Sequence, residues 1–216
     1  MNNPLSNSYY FDWRGVETFR YIFDNQGLPL VNYGKKIGLK YNPITIAQYG
    51  LSRLRYYQKM TSQSDLEIVK ACADWLVANL DDYRNTRAFV YDFELDFYGP
   101  KAPWISGMAQ GEGISFLLRS FQLLGNEEYL KCAKLAFSPF LTHVKQGGVQ
   151  DNLSDGTIIF EEYPTDPPSH VLNGHIYALL GVYDYATFFQ DDISGNLFLQ
   201  AWKGLANNLE KWDTGK

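Results

Sequence analysis

Several residue types and runs are scarce in this 216-residue chain, and each scarcity closes off a class of protein. Cysteine occurs twice, at Cys72 and Cys132, far apart and within helical patterns. That argues against a disulfide scaffold and against a Cys-based zinc site. Histidine occurs three times, at His143, His170 and His175. The last two do not have i,i+4 spacing and no H-E-x-x-H string occurs, so no metal is expected. No apolar run reaches about 18 residues, so no membrane-spanning helix is expected. The opening Met1-Asn2-Asn3-Pro4-Leu5 is neither basic nor strongly apolar. It does not read as a signal peptide, which makes the cytoplasm the default compartment. No G-x-x-x-x-G-K-[ST] phosphate loop is present, and Ser154 and Ser169 lack a nucleophile-elbow context.

Acidic residues are missing from one stretch. Between Asp24 and Asp65 there is no Asp or Glu, while Lys35, Lys36, Lys40, Arg53, Arg55 and Lys59 all fall there. The whole chain has a net charge of −5, so a generic nucleic-acid binder is not expected. A cationic block in an acidic protein can focus a field on an anionic ligand, or it can be a solvated helix face and a basic turn. What the chain has in abundance is aromatics, 16% of residues, within a 45% hydrophobic composition. Such a chain can build a sizeable core and is not disordered over most of its length.

Residues 9–41 read as short strands and turns, with Tyr9-Tyr10-Phe11, Tyr21-Ile22-Phe23 and Leu28-Pro29-Leu30-Val31 separated by glycine-containing turns. Helical periodicity dominates afterwards. One helix is predicted from Pro43 to Met60 and a second from Ser64, with Glu67 completing a capping box. A third follows Trp104, and a fourth carries the stripe Leu130, Ala133, Phe137, Leu141 and Val144. A fifth spans about Ser169 to Phe189 and a sixth starts near Asp192. Strand-like runs, Phe89-Val90-Tyr91 and Thr157–Phe160, lie in the connections between pairs. The acidic-aromatic run Tyr91–Tyr98 reads as an edge strand or as a sugar-stacking surface.

The odd-numbered helices open on comparable strings: Ile46-Ala47-Gln48-Tyr49-Gly50, Met108-Ala109-Gln110-Gly111 and Val171-Leu172-Asn173-Gly174. A long, regular period of helix pairs suggests an array such as an α/α toroid. Helices one, three and five would form its inner layer, with Gln48, Gln110 and Asn173 at one level. Chance similarity of short glycine-containing strings is the alternative. The densest polar constellation is Glu161-Glu162-Tyr163-Pro164-Thr165-Asp166-Pro167-Pro168-Ser169-His170. Three prolines stiffen it, and it holds two carboxylates and a tyrosine ahead of a helix start. It suits proton transfer, since a desolvated carboxylate can act as a general base, and it also suits a surface turn with capping acids.

As a set and in this order, four strings resemble the C-terminal catalytic region of the D-glucuronyl C5-epimerases. They are Tyr41–Ser52, Met108–Gly111, Glu161–Thr165, and Val171–Gly174 leading to Gly181–Asp184. The resemblance covers roughly residues 25–215. It implies an all-α, incomplete α/α toroid of about three helix pairs, with short β-hairpins at the N-terminus and in the loops. Residues 1–41 would be a strand-and-turn segment packed on it, and 42–216 the toroid. It implies inversion of glucuronate to iduronate at C5 within a heparosan-type polyanion, with no cofactor. Glu162 is placed as the base with Tyr163 beside it. Gln48, Tyr49, Gln110, Asn173, Lys35, Lys36, Lys40 and Arg53 are expected to bind substrate. A family tyrosine falls at Leu54 here, leaving that role to Tyr56, to Tyr57 or unfilled. Two catalytic tyrosines follow the family's match to Asp213-Thr214-Gly215, so the chain reads as truncated and weak or inactive. A non-catalytic glycan-binding module and a lyase or glycosidase on a similar toroid stay open, as does a homodimer. The animal relatives are Golgi-luminal.

Overall fold

A computed structural model of the protein describes residues 4–6, 8–11 and 21–213. Residues 12–20, and Thr214-Gly215 of the terminal string, therefore lie outside the described residues. The protein is mostly helical, with six α-helices and three small antiparallel sheets among the described residues. The first sheet joins β1 (Ile22–Phe23), β2 (Pro29–Asn32) and β3 (Leu39–Lys40). Tyr9, Tyr10 and Phe11, expected as a strand, form bends and coil instead.

The helices are α1 (Pro43–Met60), α2 (Gln63–Ala78), α3 (Gly107–Leu124), α4 (Glu127–Leu135), α5 (Leu172–Phe189) and α6 (Asp192–Asn208). Asn42 caps α1 by accepting from the Ile44 N–H, and Pro43 fills the first position, where a missing donor costs nothing. Asp191 caps α6 in the same manner, accepting from Ser194 N at 2.8 Å.

Three helix boundaries differ from the expected ones. Helix α2 is capped by Ser62, not Ser64, and Ser64 instead pairs its hydroxyl with that of Ser62 at 2.8 Å. Helix α4 stops at Leu135 because Pro139 cannot continue it, so Leu141 sits exposed after a 3₁₀ turn over Ser138–Leu141. Helix α5 starts at Leu172, since Pro167-Pro168 disfavour helical backbone ahead of them and His170 is left-handed (φ 45°), which a right-handed helix cannot include.

Consecutive helices pair as α1 with α2, α3 with α4 and α5 with α6, and α3 lies between α1 and α5. Fourteen consecutive residues of α3, Gly107 to Ser120, are buried, as expected for a helix covered on every side. Its tight seat depends on glycine. A Cβ on Gly111 would come 2.7 Å from Ala178 Cα, and one on Gly181 would come 2.2 Å from Gly111 Cα. On the other flank, a Cβ on Gly50 would strike the Phe116 ring at 2.3 Å. The glycines of the repeated strings are thus points where helix backbones approach closely. At the far end of this seam, Arg119 of α3 and Asp184 of α5 form an ion pair whose side chains are 1% and 0% exposed. Tyr10 donates to the same carboxylate at 2.7 Å.

The second sheet joins β4 (Leu80–Tyr83), β5 (Thr86–Tyr91) and β6 (Trp104–Ile105), with Leu80 opposite Phe89 and Val90 opposite Ile105. Residues 92–98, expected as an edge strand, are irregular. Phe93 and Leu95 turn into a small core with Tyr91, Trp104 and Ala109 instead. The third sheet is the hairpin β7 (Gln150–Asn152) and β8 (Ile158–Phe160). Cys72 and Cys132 are buried and free. Among the described residues, no helix is long and apolar enough to cross a membrane.

His175 ties α5 to β8: its Nδ1 accepts from Phe160 N at 3.0 Å, and the residue is 1% exposed. Burial pulls its pKa down to about 4. The stability that needs a neutral ring is therefore present above the unfolded value near 6.5 and is lost as pH falls toward and through about 4. His175→Asn keeps an acceptor near the Nδ1 position without a titrating group. Its melting temperature is expected to fall less than that of the wild type between neutral pH and pH about 4. Parallel melting curves of the two proteins across that window would contradict this.

Candidate functional site

The candidate site forms where β8 runs into the proline-rich loop. Backbone bonds hold the strand end: Glu161 N donates to Val149 O at 2.8 Å, and Gly107 N donates to Glu161 O at 2.8 Å. A Cβ on Gly107 would sit 2.7 Å from that Glu161 oxygen, so the first residue of α3 must be small for the loop to lie there.

The two adjacent glutamates point in different directions. Glu161, 1% exposed, fastens the loop to itself. Its carboxylate accepts from Ser169 Oγ at 2.7 Å, from Ser169 N at 3.2 Å and from His170 N at 3.1 Å, and His170 Nε2 lies 3.3 Å away. Glu162, 5% exposed, packs against the first turn of α5, where a Cβ on Gly174 would meet its Oε2 at 2.4 Å. Among the described residues that Oε2 has no hydrogen-bond partner. Burial raises the Glu162 pKa, and the Tyr163 phenol, within hydrogen-bonding reach, opposes the rise. The Tyr163 phenol is itself pushed up, by burial first and the neighbouring carboxylate second, so it remains a proton donor at neutral pH.

Aromatic rings surround Tyr163. Tyr98 stacks on it at 4.7 Å, Phe97 meets it edge-on at 5.7 Å, and Trp104 lies 5.6 Å away. Phe97 and Tyr98 are 59% and 52% exposed, so this wall faces solvent. The acidic-aromatic run thus supplies aromatic surface beside Tyr163, though not as a strand. Next to it, an open depression of about 690 Å³ is lined by Tyr98, Trp104, Arg84 and Lys101 together with the proline-rich loop.

Sequence reasoning missed one residue. Glu112, on α3, is 0% exposed, and both its oxygens accept from Gln48 Nε2 at 3.1 Å. Burial raises its pKa well above the ordinary range, and the Glu162 charge adds to the rise. The signal was present: Glu112 is the only charged residue between Met108 and Leu118.

The three aligned carboxamides do not share a role. Gln48 faces Glu112. Gln110, 0% exposed, turns to β5: its Oε1 accepts from Phe89 N at 3.0 Å, and its Nε2 donates to Phe89 O and to Ser106 O, both at 3.2 Å. It is a sheet-to-helix clamp, with its amide oxygen and nitrogen both engaged by backbone groups. Asn173 is exposed at the start of α5.

Tyr49 packs against Tyr21 and Phe23, and Arg53 bridges to Asp65 at 3.2 Å while lying over the Tyr49 and Tyr56 rings. Arg53 thus ties α1 to α2, while Tyr49 packs beside the first sheet. Tyr56 and Tyr57 lie eight and nine residues beyond Gln48. That is about 12 Å or more along the helix axis.

The cationic block is largely answered from elsewhere in the chain. Lys36 meets Asp96 at 2.9 Å and Lys40 meets Asp92 at 2.9 Å, while Lys35 is exposed. Asp151, Glu161 and His170 bring potential ligand atoms within 4.8 Å of one another. The Glu161 oxygens there are already taken by Ser169 and His170 donors, so the grouping works as a loop fastener.

A sequence profile of the D-glucuronyl C5-epimerase C-terminus matches residues 84–216, more than half of the chain. The chain belongs to the D-glucuronyl C5-epimerase C-terminal family. Over 115 residues, 53% of its length, it is 44% identical to the D-glucuronyl C5-epimerase of Caenorhabditis elegans, of which it covers 18%. It is also 24% identical to an uncharacterized protein of Methanocaldococcus jannaschii, covering 90% of this chain and 70% of that one. In this epimerase-family chain the matched region contains both glutamates of the loop, Tyr163 and the whole of α3 and α5.

Proposed function

We propose that the protein is a glucuronyl C5-epimerase domain acting on an anionic, glucuronate-containing polysaccharide of the heparosan type, with its helix pairs arranged as part of an α/α toroid. One observation carries the reading. Glu162, in the string the family resemblance assigns to the base, is a buried carboxylate with an unpartnered oxygen and a protonated tyrosine beside it.

The chemistry follows from the substrate. The C5 hydrogen lies α to a carboxylate. Glu162 takes the proton, the C–H bond breaks, and its electron pair moves into the carboxyl group to form an enediolate. Reprotonation from the opposite face inverts the centre, and the reaction is redox-neutral. The Tyr163 phenol is placed to donate to the developing charge, and donors preorganised in a dry site are worth far more than in water. The exposed rings of Phe97 and Tyr98 suit stacking of neighbouring sugar faces. Incubation in deuterated water, with C5 exchange read by mass spectrometry, tests the reading. Exchange without chain cleavage supports it, and cleavage with unsaturated ends would make the protein a lyase.

Polyanion binding is expected to weaken as salt rises. Replacing Lys35, Lys36 and Lys40 by Ala together is expected to lower affinity for heparosan. The melting temperature should scarcely change, because exposed ion pairs contribute little to stability. Calorimetric titration at two salt concentrations checks this, and affinity insensitive to both salt and mutation would contradict it.

A further inference from the structure

We propose that Arg84 is the specificity-determining residue of a second anionic subsite: its guanidinium takes the carboxylate of a neighbouring uronate seated in the depression beside Tyr163. The proposal rests on the epimerase reading above and adds which way the sugar chain runs and which cation reads it.

The depression is continuous with the candidate base site. Tyr98 and Trp104 line it and also flank the Tyr163 ring, at 4.7 Å and 5.6 Å. Its volume of about 690 Å³ lies within the range of clefts that take small ligands, roughly 300–1,000 Å³. The proline-rich loop forms another wall, and its prolines stiffen that wall. A polysaccharide with its reacting uronate at Glu162 and Tyr163 would pass over Tyr98 into this space. Uronates recur along such a chain, so a second carboxylate comes with it.

Arg84 sits in the turn between β4 and β5, just after the Tyr83–Thr86 pair closes the hairpin. Its φ of 51° is left-handed, a conformation that two-residue hairpin turns usually give to glycine or asparagine. Holding an arginine there costs backbone energy, and residues held in this way cluster at ligand sites. The side chain is seated as well. A Cβ on Gly147 would come 2.6 Å from Arg84 Cδ, so the stem lies against bare backbone. Thr86 Oγ1 donates to Gly147 O at 3.2 Å and keeps that backbone beside the hairpin. The guanidinium lies 5.6 Å from the centre of the Tyr83 ring, and the Tyr83 hydroxyl donates to Pro103 O at 3.2 Å.

The charge of Arg84 is unanswered where its neighbours' charges are not. Lys101, which also lines the depression, meets Glu94 at 3.1 Å. Asp82, two residues before Arg84, meets Arg87 at 3.2 Å. Among the described residues no carboxylate pairs with Arg84. Asp166 of the proline-rich loop lines the depression too and disfavours an anion at its own end. A guanidinium offers a planar fork that matches a carboxylate with two parallel hydrogen bonds.

Calorimetric titration of the whole chain with heparosan and with carboxyl-reduced heparosan, whose uronates have become glucose units, tests the proposal. Arg84→Met is expected to weaken heparosan binding on the order of tenfold, as loss of a charge-assisted pair does. It should leave binding of the reduced polymer unchanged. Arg84→Lys keeps the charge without the fork and should fall between Arg84→Met and the wild type. Lys101→Met removes a cation that Glu94 already neutralises and should change affinity far less. Arg84 is exposed, so the melting temperature should hold, and Arg84→Lys carries the test if Arg84→Met melts early.

Heparosan affinity unmoved by Arg84→Met would overturn the proposal. So would equal losses for the two polymers, or equal losses in the Arg84 and Lys101 variants. C5 exchange is read in parallel, in the wild type alone and extended by a relative's C-terminal part. The expected affinity pattern without exchange in either would uphold the subsite and overturn the epimerase reading alone. Exchange with affinity indifferent to Arg84 would do the reverse. A wild type that binds no heparosan would overturn both.

Discussion

Replacing Glu162 by Gln is expected to lower C5 exchange on the order of 10²–10⁴-fold, the usual cost of losing a positioned general base. Glutamine keeps the shape of the side chain against Gly174 and can still pair with the Tyr163 phenol, but it cannot accept a proton as a carboxylate does. Polysaccharide affinity should therefore stay near the wild-type value while the rate collapses. That separates loss of chemistry from loss of binding. Glu161→Gln makes the matching comparison. Its side chain faces Ser169 and His170 rather than the cleft, and an amide oxygen can still accept from Ser169 Oγ. Its effect on exchange should be much smaller and should appear mainly as a lower melting temperature, because charge-assisted bonds to the loop are lost. Equal losses of rate in the two variants would contradict the different orientations of the two side chains.

The largest effect on stability is expected at the opposite end of the α3–α5 seam. Asp184→Ala would leave the Arg119 guanidinium buried with no counter-charge, and Tyr10 without its acceptor. Breaking one side of a buried ion pair typically costs about 3–5 kcal/mol. For a chain of this size that corresponds to a melting temperature lower by roughly 10 °C. The double variant Arg119→Met with Asp184→Leu should recover much of the loss, because apolar replacements remove the unpaired charge. Thermal melts of the single and double variants check this. A single variant as stable as the wild type would mean that water reaches Arg119 and the pair is not sealed.

The comparison of sequence and structure divides along one physical line. Features set by neighbours in sequence were legible. Helix α1 from Pro43 to Met60 and α6 from near Asp192 follow from a first-turn proline and apolar spacing, and the structure adds their caps, Asn42 and Asp191. The Glu161–Glu162–Tyr163 run stood out because prolines stiffen it. Features set by distant residues were not legible. The six-residue cationic block looked unopposed because the acids that meet Lys36 and Lys40 come from residues 96 and 92. The string around Gln110 resembled the one around Gln48, yet a helix aims the two amides by rotation, one at Phe89 and the other at Glu112. Solitary charges carried more information than they first showed. Glu112 and Arg119 are the charged residues of α3 and Asp184 that of α5, and each proves to be buried with a specific partner. A charge in an otherwise uncharged helix needs a partner, since burying one alone is costly.

Deuterium incorporation at C5 of glucuronate in a heparosan-type chain tests the central claim most directly. It is best measured for the wild type and Glu162→Gln side by side, each as this chain and as this chain joined to the C-terminal part of a longer relative. The account predicts exchange without chain cleavage in the wild-type extended protein and essentially none in its Glu162→Gln counterpart. Full exchange in the extended Glu162→Gln protein, or no exchange in any wild-type form despite measurable polysaccharide binding, would contradict it.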